Sequence, residues 1–118
     1  MTPSRTRARP DWSLGAVLAE REVDPRTCVL VVRADAGPPA ALELRRRLLG
    51  LALSGHTTLI VDLNGATGVT DAVLAALMQG RRKLAGRGGR LVVAADDPSL
   101  RTTLGRLGFE FDGLLEAI

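Results

Sequence analysis

TLIVDLNGATGVTDAVLAALM, residues 58–78, passes from an apolar strand through a glycine-containing loop into an amphipathic helix. Leu59, Ile60 and Val61 form a continuous apolar run, the composition of a short strand covered on its faces. The following stretch, Asn64-Gly65-Ala66-Thr67-Gly68, is connecting-loop material. It lacks the lysine of a phosphate-binding P-loop and the spacing of a dinucleotide fingerprint. Thr70 or Asp71 caps the helix that follows, because a short side-chain oxygen accepts from a free amide of the first turn. Leu74, Leu77, Met78 and Leu84 mark its core side, with Arg81 interrupting the stripe.

Working upstream, Cys28 to Val32 (CVLVV) is a second apolar, β-branched run and a second strand. Residues 14–22 are mixed and read as an edge strand or a short helix, followed by the turn Val23-Asp24-Pro25-Arg26. Ala36-Gly37-Pro38-Pro39 breaks the chain, and proline favours a first helical turn, so a helix starts near Pro39 or Ala40. Ala41, Leu44, Leu48, Leu51 and Ala52 share one side of it, opposite Glu43, Arg45, Arg46 and Arg47. Ser54-Gly55 ends it, glycine suiting the left-handed position beyond a helix.

Downstream, Gly86-Arg87-Gly88-Gly89 stops the central helix and residues 91–95 form a third strong strand. Asp96-Asp97-Pro98 reads as a cap and first turn, and Leu100, Leu104 and Leu107 follow at helical spacing. Residues 109–111 suggest a last short strand and 114–118 a closing turn or helix. The predicted order is β-β-α-β-α-β-α. That order defines one α/β domain, a mixed and mostly parallel sheet of four to five strands with helices packed on it.

The chain has 118 residues, 46% hydrophobic, enough for one domain with a two-layer core. Aromatics make up 3%, which argues against a nucleic-acid module that stacks bases. The pI of 10.4 traces to Arg5, Arg7 and Arg9; they equal the whole net charge of +3, and the remainder carries 13 basic and 13 acidic side chains. Residues 1–11 read as a solvated, disordered basic leader and 12–118 as the folded domain. Such a leader offers at most a weak contact with nucleic acid. Cys28 is the only cysteine and His56 the only histidine. An internal disulfide framework, a His/Cys metal cluster and a triad requiring a further imidazole are excluded, and Cys28 reads as a buried structural thiol. No run approaches the roughly 20 apolar residues of a membrane span. A cytoplasmic location is the expectation.

Residues 58–78 resemble the central segment of STAS domains of the anti-sigma factor antagonist type, which reads close to V-D-L-S-G-V-x-x-[IM]-D-S-[ST]-G-L. Val61, Asp62, Leu63, Gly65, Val69 and Leu74 match. Arg87-Gly88-Gly89-Arg90-Leu91-Val92-Val93 is similar to the family's R-G-G entry to its fourth strand, and Asp97-Pro98 through Leu107-Gly108-Phe109 to its next helix. Residues 33–40 share only an acidic residue with the family's G-[ED]-[LI]-D element.

The resemblance implies a non-catalytic regulator, without cofactor or metal, that docks a serine-kinase-like anti-sigma factor and leaves homodimerisation open. It places the partner-binding surface at Gly68, Val69, Thr70, Asp71, Ala72 and Val73. The family's phosphoacceptor position falls on Ala72, which has no hydroxyl. Thr70 is the candidate substitute acceptor, and Asp71 a candidate fixed negative charge. Both residues also serve simply as helix caps, the reading favoured by their position. Val73 stands where the family has glycine, and a β-branched side chain there is expected to crowd an approaching backbone. Asp96 and Asp97 read as capping residues ahead of an acid–base pair. The rival reading is a STAS scaffold subunit of a larger signalling or lipid-transport complex.

Overall fold

Each apolar strand is followed by a helix, and the chain then returns to the sheet beside the strand it left. The computed structural model describes residues 12–14, 18–35 and 38–111. A hairpin opens the sheet: β1 (Trp12–Leu14) pairs antiparallel with β2 (Leu18–Asp24), and β2 with β3 (Thr27–Val32). The turn between β2 and β3 is held by Asp24, whose Oδ1 accepts from the Arg26 amide at 2.8 Å. The alternation across residues 14–22 thus belongs to two strands, with Leu14 paired to Ala19, where the sequence suggested one edge strand or a helix. The expected basic leader and the expected closing element at 114–118 lie outside the described residues.

A two-residue strand, β4 (Ala34–Asp35), precedes α1 (Pro38–Leu53). Then come β5 (Thr58–Asp62), β6 (Ala66–Thr67), α2 (Asp71–Ala85), β7 (Arg90–Ala94), α3 (Pro98–Arg106) and β8 (Glu110–Phe111). The main sheet has six strands in the order β1-β2-β3-β5-β7-β8. From β3 onward all neighbours are parallel. β4 and β6 form a separate parallel pair. The mixed, mostly parallel sheet is therefore the predicted one, enlarged by the split of its first strand.

Every crossover steps the same way across the sheet, and right-handed crossovers then place all the helices on one face. The strand period of two sorts the side chains accordingly. Cys28, Leu30, Val32, Leu59, Val61, Leu91 and Val93 join the helical residues Leu44, Leu48, Leu77, Leu84 and Leu104 in one core cluster. The intervening Val29, Ile60 and Val92 form a smaller cluster of their own. All five predicted core residues of α1 are buried. Gly55, with φ of 95°, ends that helix.

α1 and α2 lie side by side, and Gly80 of α2 faces Leu48 of α1. A Cβ on Gly80 would stand 2.6 Å from Leu48 Cδ1 and 3.1 Å from its Cβ. The Arg81 that interrupts the apolar stripe of α2 has a specific place: its guanidinium lies 4.2 Å from the centroid of the Phe109 ring. Cys28 is fully buried, and burial, reinforced by the charges of Glu20 and Glu22, pushes its thiol up to about 12. Its thiolate, the reactive form, is thereby suppressed. No helix among the described residues is long and apolar enough to cross a membrane.

Candidate functional site

The loops at the C-terminal ends of β5 and β7 face each other, the place where α/β sheets gather binding sites. Asp62 begins the first loop by accepting the Asn64 amide at 2.9 Å, an Asx turn. Asn64 in turn accepts the amide of Asp96 at 2.7 Å, joining the two loops. The pairing of β4 with β6 sets the backbone of Asp35 beside that of Thr67, so the segment before α1 borders the same region.

Gly68 has φ of 61°, the left-handed region that glycine enters without strain, and it turns the chain into α2. Thr70 is the N-cap, its hydroxyl accepting the Val73 amide at 3.4 Å. Asp71 opens the helix and is exposed, the favourable end of the helix dipole for a carboxylate. Ala72 is exposed as well. Val69 and Thr70 are half-buried, Val69 resting against the core.

Val73 departs from the expected surface. Its side chain is 0% exposed and belongs to the main core, because the first turn of α2 points this position at the sheet. It therefore does not crowd an approaching backbone. The remaining residues of the predicted surface, Gly68, Val69, Thr70, Asp71 and Ala72, lie together at the start of α2, with Gly68, Asp71 and Ala72 presented outward.

Between the two loops lies a cleft of about 650 Å³. Leu63, Val69, Leu74 and Leu100 contribute apolar lining, and Asp71, Asp96 and Asp97 contribute carboxylates. Asp97 is the N-cap of α3, accepting the Leu100 amide at 2.9 Å, with Pro98 in the first turn. Asp96 is exposed and takes no part in that cap. Arg101 ties α3 to the end of β7, donating to the Ala95 carbonyl at 2.8 Å and lying 4.3 Å from the centroid of Phe111. Sequence reasoning passed over Asn64 and the cleft. An Asn-Gly pair marks a turn, but nothing local reveals which distant amide its side chain will bind.

His56 precedes β5, at the opposite end of the strands from this cleft. Its Nδ1 is 3.0 Å from Ser54 Oγ, and its Nε2 is 3.7 Å from Glu22 Oε1. Cys28 is interior. The cleft thus has carboxylates, amides and apolar walls for recognition, and neither the imidazole nor the thiol of the chain reaches it. Among the described residues no group of three or more His, Cys, Asp or Glu side chains is placed to hold a metal ion.

A hairpin followed by successive parallel β-α units, with a capped and exposed start to the second helix, is the architecture of a STAS domain. The chain belongs to that family: the family model described as Mlab, STAS domain matches residues 19–116. The fold is similar to that of the anti-sigma factor antagonist SpoIIAA in its unphosphorylated form, with a TM-score of 0.72 and 17% identity over 80% of this chain and 86% of that one. It is equally similar to the Bacillus cell fate determinant SpoIIAA in its phosphorylated form, with a TM-score of 0.72 and 16% identity over 85% and 95% of the respective chains. No curated protein sequence matches this chain.

Proposed function

We propose that this protein is a docking regulator of the anti-sigma factor antagonist type, which binds a kinase-type anti-sigma factor through the start of α2 and does so without the usual serine switch. The observation that carries this reading is the exposed helix start at Asp71 and Ala72, with a methyl group at the position where the family resemblance puts the phosphoacceptor. The fold likeness to SpoIIAA, known in phosphorylated and unphosphorylated forms, supports it. The nearest hydroxyl, on Thr70, is half-buried and engaged as the cap. A phosphate would add about −1.5 to −2 charges at such a surface, whereas Asp71 supplies one fixed charge. Docking would then be governed by the abundance of the partner. A cytoplasmic setting accords with this role.

The test combines the purified protein with a kinase-type anti-sigma factor and radiolabelled ATP, read by size-exclusion chromatography and autoradiography. A complex that takes no label, is lost in Asp71→Lys and gains label in Ala72→Ser supports the reading. A complex indifferent to Asp71→Lys sinks the docking surface, and label lost only in Thr70→Ala sinks the switchless description.

The missing hydroxyl at Ala72 also favours a second reading, a STAS subunit held permanently in a larger signalling or lipid-transport complex. Such a subunit needs an interface without an off state. Its signature is stoichiometric association that survives removal of ATP, measured by native mass spectrometry of the affinity-purified assembly.

A further inference from the structure

The outer surface of the helical layer carries a groove between α1 and α2. Near the helix starts it has a volume of about 260 Å³ and is lined by Leu42, Arg45, Ala72, Ala75 and Gln79 among others. Near the helix ends it has about 510 Å³, lined by Leu49, Gln79, Arg82, Lys83 and Arg87. Gln79 lines both hollows, which therefore adjoin at that residue and follow one another along α2. From Ala72 to Gly86 they extend about 21 Å at 1.5 Å per residue, close to four helical turns.

The lining changes character along that length. At one end Ala72 and Ala75 present methyl groups, and Leu42 stands beside them 46% exposed, one of the few large apolar side chains left in solvent. Small residues there allow another backbone to come close. At the other end the lining is cationic, with Arg82, Lys83 and Arg87, while Arg45 adds a charge beside the alanines. All four are exposed, none takes part in an ion pair among the described residues, and no carboxylate lines either part. Glu43 lines a hollow that adjoins the helix-start end at Leu42, in company with Arg46 and Arg47, so that its carboxylate stands among two further cations.

We infer that the α1/α2 groove seats an acidic amphipathic helix of the partner protein, apolar side chains over the alanines and carboxylates against Arg45, Arg82, Lys83 and Arg87. This rests on the docking reading above and adds the chemistry of the docked element. Helix-in-groove recognition uses an apolar seat and charges that fix orientation; Leu42, Ala72 and Ala75 supply the seat and the cations along α2 the charges. A second copy docking by the same face would oppose cation to cation. Residues 1–11 carry Arg5, Arg7 and Arg9 and are likewise of the wrong sign. A lipid surface suits apolar side chains that project outward; here the methyl groups of Ala72 and Ala75 line a hollow.

The probe is a synthetic helix of about 16 residues with leucines on one face and glutamates on both flanks; its control carries lysines for glutamates. Each is titrated into the full chain labelled with ¹⁵N. Support consists of saturable shifts at the amides of Arg45, Ala75, Gln79 and Arg82 with the acidic peptide alone. Affinity should fall at least ten-fold in the double variant Arg82→Glu/Lys83→Glu and in Ala75→Trp, which fills the groove at an exposed site. Circular dichroism checks that both variants fold. Equal binding of the two peptides, absence of saturation, shifts confined to residues 68–71, self-association through this face in sedimentation, or binding to phosphatidylglycerol vesicles in place of the peptide would each overturn the inference. The anti-sigma complex separates the two readings. If it resists Arg82→Glu/Lys83→Glu and fails with Asp71→Lys, the groove is wrong and the helix-start surface stands; the opposite pattern removes the helix-start surface and keeps the groove.

Discussion

Asn64 Oδ1 accepts the backbone amide of Asp96 across a separation of 32 residues, at 2.7 Å, and so couples the loop before α2 to the loop before α3. Asn64 is otherwise exposed, and its side chain gains little from burial. Asn64→Ala should therefore lower stability by about 1 kcal/mol, the net worth of one such hydrogen bond. Urea unfolding measures that loss. Amide exchange at Asp96 should accelerate with it, whereas Asn64→Asp, which keeps the acceptor, should leave that amide protected.

Capping separates Thr70 from Ala72. Thr70→Ala removes the acceptor for the Val73 amide and should cost about 1 kcal/mol, with Thr70→Ser retaining most of it. Ala72→Ser lies on an exposed first-turn position and should change stability by less than about 0.5 kcal/mol. Thermal unfolding of the three variants would show whether the cap is at residue 70 as the structure has it.

Gly80 and Leu48 should behave as a coupled pair. Gly80→Ala gains helix propensity of up to about 1 kcal/mol. It also drives a methyl group to within 2.6 Å of a buried Leu48 side chain, an overpacking that costs about 1–3 kcal/mol. The single variant should therefore be destabilised. In the background Leu48→Ala, itself weakened by a cavity, the same glycine substitution should cost less, because the 2.6 Å contact with Cδ1 is gone while the 3.1 Å contact with the Cβ remains. A double-mutant cycle that shows simple additivity would contradict this packing.

Cys28 should be silent toward alkylating reagents at pH 8 in the folded protein and react on unfolding, as followed by mass spectrometry. Its thiol stays protonated up to about 12 in the fold, against an ordinary value of 9.0 when released. Between those values the folded chain holds one more proton than the unfolded chain, so stability falls as the pH rises through that window. Below about 9 both states are protonated and this contribution is level. Cys28→Ala should remove the thiol's share of the alkaline slope while introducing a cavity loss common to all pH values.

The parts of the fold visible in the sequence are those with a sustained period. Ala41, Leu44, Leu48, Leu51 and Ala52 announce a buried helix face because 16 residues of α1 give the period room to repeat. The runs around Val29, Ile60 and Val92 announce strands by their continuous apolar, β-branched composition. β4 and β6, at two residues each, have no period to read, and their pairing depends on loops that only the assembled sheet brings together. Arg81 looked like a defect in its stripe because its partner, Phe109, lies on a later segment. Within the site, the cap at Thr70 and the exposure of Ala72 follow from local chemistry. The inward turn of Val73 depends on helix phase in a first turn, where a single residue is a step of about 100°. The groove was hidden because Ala72, Ala75 and Gln79, on the outer face of α2, read simply as good helix formers.

The strands from β1 to β8 in the main sheet stand side by side in the order in which they occur along the chain. Thr27 pairs with Thr58 and Thr58 with Arg90, so the first two additions to the parallel sheet close over about thirty residues, and β8 closes over a shorter span, Val92 pairing with Glu110. Among the described strands of this sheet no later one is inserted between earlier ones. During synthesis the sheet can therefore grow from its hairpin edge toward β8, each β-α unit finding its template already in place as it leaves the ribosome. The cleft beside the start of α2 is complete only after β7 and the start of α3 are in place, since Asp96, Asp97, Ser99 and Leu100 form part of its lining. The cleft would thus be among the last features of the nascent chain to form, and a truncated product would fold its first strands without acquiring it.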